Sequence, residues 1–371
     1  MEDSQKKIAR RIDDYYFGGS GGERTLRENR KALDSLRLIP RAFQGRLECD
    51  TTTNLGGVLL PLPIAVAPMA YLSLLAAGGE ETMARSAAKA GISFILSTRS
   101  AIALEKVAET FNANRRPITT SKATAALFFQ LYLMKDRQLT FAYIDRAKEA
   151  GFDGFVLTVD APYIFPRRRD RANGFVVPEK MVRGNLPHDF VPTPQKPEAT
   201  LLPTQLLGRS AAAFDDALVQ EAVIDPDIVA EVARACSPMP LVVKGVMAPQ
   251  DIAMAGALAS GAIVSNHGAR QLDGAITAVD AMALFSESHL ERPRSLWMDG
   301  AVSFGSDLIR AVALGCDGAL VGKAFARALR RGGEAELKKA ISLIKEEFQV
   351  AMALVGAQSI GEITRAVLYF G

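Results

Sequence analysis

The sequence predicts an α/β chain folded as a (β/α)8 TIM barrel, with an N-terminal helical extension and a long loop after strand 4. Three observations carry this. Eight short apolar runs recur, each followed by a stretch of helix length with helical spacing of its apolar residues, which is the pattern of repeated βα units. No GxGxxG turn follows the first run, so an open dinucleotide-binding sheet is disfavoured. The chain has 371 residues, more than the roughly 250 that a barrel needs, which leaves room for additions at its ends and in its loops.

In chain order, residues 1–60 read as a helical preface with a small lid over the barrel bottom, and Asp14, Tyr15, Tyr16, Phe17, Gly18 and Gly19 end its first helix. Strands are predicted at Ile64 to Ala70, Phe94 to Thr98, Ala125 to Tyr132, Gly154 to Asp160, Pro240 to Val246, Ala262 to Gly268, Ser295 to Ala301 and Gly318 to Lys323. Helices between them are predicted at Glu80 to Ala90, Leu104 to Phe111, Arg137 to Ala150, Asp227 to Ala235, Gln250 to Leu258, Val279 to Phe285 and Ser306 to Leu314. Gly91, Gly151 and Gly315 supply stops, because glycine tolerates the left-handed conformation that ends a helix. Residues 161–224 break the repeat with frequent proline (Pro187, Pro192, Pro194, Pro197, Pro203) and are expected to form a partly mobile loop over the barrel mouth. The whole chain is expected to be a single domain, with the barrel over 61–330 and C-terminal helices over 331–371.

Composition narrows the function. Lys plus Arg is 44 against Asp plus Glu 41, a net charge of +3, so no strong field selects a nucleic acid or an anionic membrane. Hydrophobic residues at 49% and charged residues at 23% are those of a globular chain with a large core. Cys49, Cys236 and Cys316 are far apart and form no CxxC pair, which argues against a metal or redox role and for a reducing, cytoplasmic compartment. No segment reaches the roughly 18 uninterrupted apolar residues of a membrane span.

A barrel builds its active site at the carboxyl ends of its strands. The polar residues predicted there are Ser97, Gln130 with Tyr132, Thr158 with Asp160, Lys244, His267 with Arg270, and Asp299. His267 is the histidine on this rim, and a carboxylate such as Asp160 would orient it and stabilise its protonated form. A buried histidine satisfied by a backbone carbonyl is the competing reading, and Arg270 three residues on weighs against it. Arg270 presents the planar fork that pairs with a carboxylate, whereas Arg167, within Pro166, Arg167, Arg168, Arg169, Asp170, also reads as part of a solvated basic run.

The run Ser265, Asn266, His267, Gly268, Ala269, Arg270, Gln271, Leu272, Asp273 resembles the signature of the FMN-dependent 2-hydroxy acid oxidases and dehydrogenases, a family that includes glycolate oxidase, lactate oxidase and mandelate dehydrogenase. The resemblance extends from Asp14, Tyr15, Tyr16 and Thr25, Leu26, Arg27, Glu28, Asn29, Arg30 through Leu241, Val242, Val243, Lys244, Gly245 to Met352, Ala353, Leu354. It implies oxidation of a 2-hydroxy acid to the 2-oxo acid, with FMN taking the electrons. His267 would be the base and Asp160 its partner, Arg167 and Arg270 would bind the substrate carboxylate, and Tyr15 and Tyr132 would contact the substrate. Pro68, Met69, Ala70, Ser97, Gln130, Thr158 and Lys244 would face the flavin ring, Asp299 the ribityl chain, and Gly300, Ser303, Gly322 and Lys323 the phosphate. The family also implies a homo-oligomer, by analogy a tetramer.

The chain departs from the family pattern in ways that bear on both ligands. Ala301 stands where a second glycine is usual and Ser303 where an arginine is usual, while Lys323 replaces the arginine of a Gly-Arg pair, so a looser phosphate grip is expected. Arg99 stands in place of a tryptophan of glycolate oxidase, Met69 in place of a threonine, and Phe165 and Arg168 flank the loop arginine. An extra cation and an aromatic wall predict a larger or more anionic substrate than glycolate or lactate. Oxygen, giving hydrogen peroxide, or a quinone would reoxidise the flavin, and Ala70 leans toward an oxidase. The same chemistry on an amine or a tethered intermediate, and a flavin-binding barrel without turnover, are the alternatives.

Overall fold

The computed structural model describes residues 2–45, 48–116, 123–182, 184–186 and 223–369. Helices α1 (Glu2–Phe17) and α2 (Arg24–Ser35) lead into β1 (Arg37–Leu38), which pairs antiparallel with the C-terminal β12 (Leu368–Tyr369). A hairpin of β2 (Thr53–Leu55) and β3 (Val58–Leu60) precedes the barrel. The barrel strands are β4 (Ile64–Val66), β5 (Ser93–Ser97), β6 (Leu127–Tyr132), β7 (Gly154–Thr158), β8 (Leu241–Val246), β9 (Gly261–Val264), β10 (Leu296–Met298) and β11 (Gly318–Val321). They close in sequence order, with β11 beside β4, and every pairing is parallel.

Alternation along these strands sorts the core into two. Outward residues such as Phe94, Phe129, Leu157, Val243 and Met298 pack under the helices. Inward residues Ala65, Ile95, Phe128, Val156, Val242, Ile263, Trp297 and Leu320 fill the barrel as one buried apolar cluster. Leu55 and Leu60 of the hairpin belong to the same cluster, and Trp297 Nε1 donates to Asn54 O at 2.8 Å, so the hairpin plugs the bottom. The expected lid is therefore the hairpin alone. Helices α1 and α2 lie at the opposite end, because Tyr15, Tyr16 and Asn29 line the cavity at the strand carboxyl ends.

The outer helices follow the predicted units: α3 (Gly79–Ala90), α4 (Leu104–Asn114), α5 (Arg137–Glu149), α8 (Pro226–Cys236), α9 (Pro249–Leu258), α10 (Ala278–Glu287), α11 (Gly305–Ala313) and α12 (Lys323–Leu354). Helix starts have local causes. Asp225 accepts from Ile228 N at the start of α8, and Thr277 with Asp280 forms a capping box on α10. Within α12 the backbone leaves helical geometry at Gly332 and Gly333.

Several predicted strands end too late. The apolar run Ala262 to Gly268 is a strand only over Gly261–Val264, and Ser295 to Ala301 only over Leu296–Met298. Ser265 N and Asp299 N still bond backbone carbonyls of the neighbouring strands, but further on the His267 amide turns to Ser265 Oγ, and His267, Gly268, Ala269, Gly300 and Ala301 take positive φ, which leaves extended geometry. Of the predicted loop 161–224, the first part contains two short helices, α6 (Arg168–Asn173) and α7 (Glu179–Val182); residues 183 and 187–222 lie outside the described residues, and so does the expectation of mobility there. Among the described residues no helix is long and apolar enough to cross a membrane.

Candidate active site

Strand periodicity builds the site. One step of two residues beyond the apolar interior layer, the same inward face carries Ser97 after Ile95, Gln130 after Phe128, Thr158 after Val156, Lys244 after Val242, Ser265 after Ile263 and Asp299 after Trp297. All six are buried. The barrel thus changes from hydrocarbon to hydrogen-bonding groups over about 7 Å of strand.

The polar groups are ordered into chains. Ser97 Oγ donates to Gln130 Oε1 at 3.0 Å, and Gln130 Nε2 donates to Thr158 Oγ1 at 3.0 Å. Lys244 Nζ donates to Ser265 Oγ at 2.7 Å and lies 3.1 Å from Asp299 Oδ2. Burial works against the Lys244 charge, but Asp299 and Asp160 outweigh it and raise its pKa, so a fixed cation stands on this wall.

His267 Nδ1 lies 2.9 Å from Asp160 Oδ1. Burial alone would raise the Asp160 carboxyl; the charge and hydrogen bond of His267, with Lys244, hold it below the usual carboxylate range. An ionised Asp160 selects the tautomer with the proton on Nδ1 and leaves Nε2 as the basic nitrogen. Gly245 makes this approach possible. It sits at φ +108° in an irregular stretch of β8, and a Cβ there would be 2.5 Å from Asp160 Cγ.

The histidine's own loop is held from both sides. His267 has φ +58°, an uncommon state for a non-glycine residue, and its amide donates to Ser265 Oγ at 3.0 Å. Asn266 exchanges two side-chain hydrogen bonds with Asn29 of α2, at 2.7 and 3.1 Å, and accepts from Ala269 N. Asp273 accepts from Gly22 N at 2.6 Å and Thr25 N at 3.1 Å. The N-terminal segment is in this way clamped onto the loop that carries His267.

The cationic residues surround two tyrosines. Arg167 and Arg270 stand over the Tyr15 ring at 5.3 and 4.9 Å from its centroid, and Arg99 over Tyr132 at 5.2 Å. Arg270 Nη1 donates to Tyr15 O, and Arg167 Nη1 lies 3.4 Å from Asp170 Oδ2. Arg167 is pushed down to about 10 by burial first, then by Arg270. Burial raises the Tyr132 hydroxyl against the pull of Arg99, so it is a donor at neutral pH.

A single cavity of about 370 Å3 collects these groups. Tyr15, Pro68, Met69, Ala70, Ser97, Arg99, Gln130, Tyr132, Thr158, Arg167, Lys244, His267, Arg270, Asp299, Gly300, Ser303, Gly322 and Lys323 all line it, and Asp160 stands behind His267. The expected aromatic wall is absent at Phe165. Ile164 faces the cavity there, while Phe165 turns its amide toward Gln271, and Arg168 is exposed at the start of α6. Sequence reasoning gave no role to Asn29, Ser265 or Asp273, although each lies inside a quoted run. Arg327 also lines the cavity, its guanidinium 5.0 Å from the Phe17 ring centroid.

The cavity has the donors and acceptors that a flavin mononucleotide needs. Asp299 Oδ1 is buried with no hydrogen-bond donor among the described residues, which suits a polyol hydroxyl. Gly300, at φ +103°, and Gly322, where a Cβ would meet Ala67 Cβ at 3.4 Å, keep one end of the cavity open beside the first turn of α12. Lys323 Nζ donates there to Gly268 O at 2.9 Å and Gly18 O at 3.3 Å.

Comparison with known proteins gives a consistent picture. The family model described as FMN-dependent dehydrogenase matches residues 4–370. The chain is 37% identical to an L-lactate oxidase of Nostoc sp., over 96% of this chain and 93% of that protein. It is 33% identical to a 4-hydroxymandelate oxidase of Amycolatopsis orientalis, over 95% of this chain and 92% of that protein. Among solved structures, mandelate oxidase with (S)-4-hydroxymandelic acid superposes with a TM-score of 0.82 at 31% identity, covering 99% of this chain and 97% of the other. A mandelate oxidase variant solved with a C4a-OH-FMN adduct matches with a TM-score of 0.76 at 31% identity, covering 97% of each chain.

Proposed function

Because the chain belongs to the FMN-dependent dehydrogenase family, an oxidoreductase family acting on CH–OH groups with FMN as cofactor, we propose that its strand-end cavity converts a 2-hydroxy acid to the 2-oxo acid with His267 as base. The observation that carries the residue assignments is the His267–Asp160 pair at 2.9 Å, set in one cavity with Arg270 and the unpaired Asp299 Oδ1.

Each residue has a task that its position allows. Arg270, with Arg167, holds the substrate carboxylate through paired charge-assisted bonds. The Tyr132 hydroxyl donates to the substrate hydroxyl oxygen, and Tyr15 closes the pocket under the two guanidiniums. His267 Nε2 receives a proton from the substrate, and Asp160 holds the resulting imidazolium. FMN supplies the acceptor for the two electrons. Lys244 places a positive charge where the cofactor gains negative charge, Ser97, Gln130 and Thr158 offer hydrogen bonds to its ring, and Pro68, Met69 and Ala70 form the wall against it. Asp299 takes the ribityl hydroxyls, and Lys323, Ser303 and the backbone at Gly300 and Gly322 take the phosphate.

The proposal includes oxygen as the second acceptor, giving hydrogen peroxide, a cytoplasmic location and a homo-oligomeric assembly. The relatives named as oxidases favour the first of these. The proposal also takes the chain as one unit over 1–371; Ala161, Ile164 and Arg167, at the start of the segment after β7, line the cavity.

Anaerobic mixing of the yellow holoprotein with a panel of 2-hydroxy acids and matching amines tests the reaction. Bleaching by hydroxy acids, followed by recovery of colour and peroxide on admitting air, is the expected result. Bleaching by amines alone would replace the substrate class, and no bleaching by either would make the protein a flavin-binding barrel without turnover.

A further inference from the structure

We propose that Arg327 binds the phosphate of FMN, as the principal side-chain donor at the end of the cavity marked by Gly300 and Gly322. The inference rests on the cofactor placement proposed above and is independent of the reaction.

A phosphate dianion only accepts hydrogen bonds, so the donors left over at this end decide how it is held. Ser303 has none left over. Its amide donates to Asp307 Oδ2 at 2.9 Å and its hydroxyl to Ala301 O at 3.1 Å, so it reaches a phosphate only by giving up one of these bonds. Arg30, which also lines the cavity, has its five N–H groups committed: Nε to Asp34, Nη1 to Ala301 O and Asp307, and Nη2 to Asp34 and Asp307. Lys323 directs two of its three N–H groups at Gly268 O and Gly18 O, and one remains.

Arg327 is the uncommitted cation. It lines the same cavity and, four residues beyond Lys323 on α12, shares that face of the helix. The Phe17 ring, with its centroid 5.0 Å from the guanidinium carbon, steadies the side chain, and the next residue, Gly18, is the one that accepts from Lys323. The two cations thus converge on the end of α1. They also act on each other, since Arg327 contributes, after burial and Arg270, to pushing Lys323 down to about 7. Among the described residues no carboxylate or carbonyl pairs with the Arg327 guanidinium. A guanidinium resting on a ring keeps its N–H edge for an oxyanion. Gly322 puts no capping side chain on the first amides of α12, which leaves them as further donors beside both cations.

Matched titrations of the full-length apoprotein with FMN and riboflavin, followed by quenching of flavin fluorescence, isolate the phosphate. The wild type is expected to hold FMN more tightly than riboflavin. Arg327→Gln should weaken FMN by about tenfold, the low end for a charge-assisted bond because the residue is exposed, and leave riboflavin unchanged. Arg327→Lys should recover part of the loss. Arg331→Gln, which removes the same charge one helical turn away from the cavity lining, should stay within about twofold. Release of FMN on dilution of the holoproteins gives a second measure of the same order of affinities. Full FMN affinity in Arg327→Gln, an equal loss for FMN and riboflavin, or an equal loss in Arg331→Gln would overturn the proposal. Equal wild-type affinities for the two flavins would overturn it together with the placement of the phosphate. Failure of hydroxy acids to bleach the flavin would remove the reaction assignment and leave these binding ratios to decide the role of Arg327.

Discussion

Nδ1 of His267 and Oδ1 of Asp160 stand 2.9 Å apart although 107 positions separate them in the chain. With its carboxyl held below the usual range by His267 and Lys244, Asp160 is ionised at neutral pH and keeps the proton on Nδ1. Asp160→Asn should keep the flavin bound and slow its reduction by about 10²- to 10⁴-fold, because an amide neither selects the tautomer nor balances the imidazolium. His267→Gln should slow it at least as much. Anaerobic stopped-flow reduction checks both, and a loss of only a few fold in either would return the pair to a structural role.

Arg270 has a double attachment to Tyr15, through the backbone carbonyl and over the ring. A lysine cannot keep both and grip a carboxylate with two parallel bonds. Arg270→Lys should therefore lower kcat/KM by about 100-fold, with most of the loss in KM if the carboxylate contact is equally strong in ground and transition states. Steady-state kinetics checks this; unchanged constants would move the carboxylate to Arg167 or Arg99.

Lys323 is pushed down to about 7, by burial first and then by Arg270 and Arg327. Its folded pKa lies below the unfolded value of about 10.4, so between about pH 7 and 10 the unfolded chain binds more protons. Over that window this group makes the apoprotein more stable as pH rises. A phosphate dianion favours the ammonium form, so binding of FMN should take up a proton above pH 7. The FMN dissociation constant should then rise by up to about tenfold per pH unit between about pH 7 and 9. Lys323→Arg, which keeps its charge, should flatten the profile. Quenching of FMN fluorescence by the apoprotein measures it, and a flat wild-type curve would mean that Lys323 does not meet the phosphate.

The strand-end chemistry was legible because period two carries polar side chains from a known apolar layer to the rim: Ile95 predicts Ser97, and Trp297 predicts Asp299. The strand ends were less legible, because an apolar run does not show that the amide at His267 bonds a serine hydroxyl instead of the ladder. The Asn29–Asn266 pair could not be read at all. Its partners are 237 positions apart, and neither residue's neighbours encode the other. The position of α1 and α2 at the mouth follows from such pairs, whereas the small lid expected over the bottom is the hairpin of β2 and β3.

Ala301 sits at φ +64°, a conformation that costs an alanine about 1 kcal/mol relative to glycine. Ala301→Gly should raise the unfolding free energy by about that amount, less the extra freedom glycine gives the unfolded chain. The urea midpoint of the apoprotein checks it. A fall in midpoint would mean that the methyl group makes contacts worth more than the backbone strain.

The clamp between Gly22, Thr25 and Asn29 on one side and Asn266 and Asp273 on the other ties a segment that precedes the barrel to residues made about 240 to 250 positions later. Tyr16 can meet the segment after β4, and Tyr15 can meet Phe175, well before then, but Gly22, Thr25 and Asn29 have to wait for these partners until β9 and its loop have emerged. Contacts this distant in sequence carry a large loop-closure cost and form late, so the mouth of the barrel is completed after its interior. Until then the chain has no finished ligand pocket, and a truncated nascent product cannot trap the cofactor.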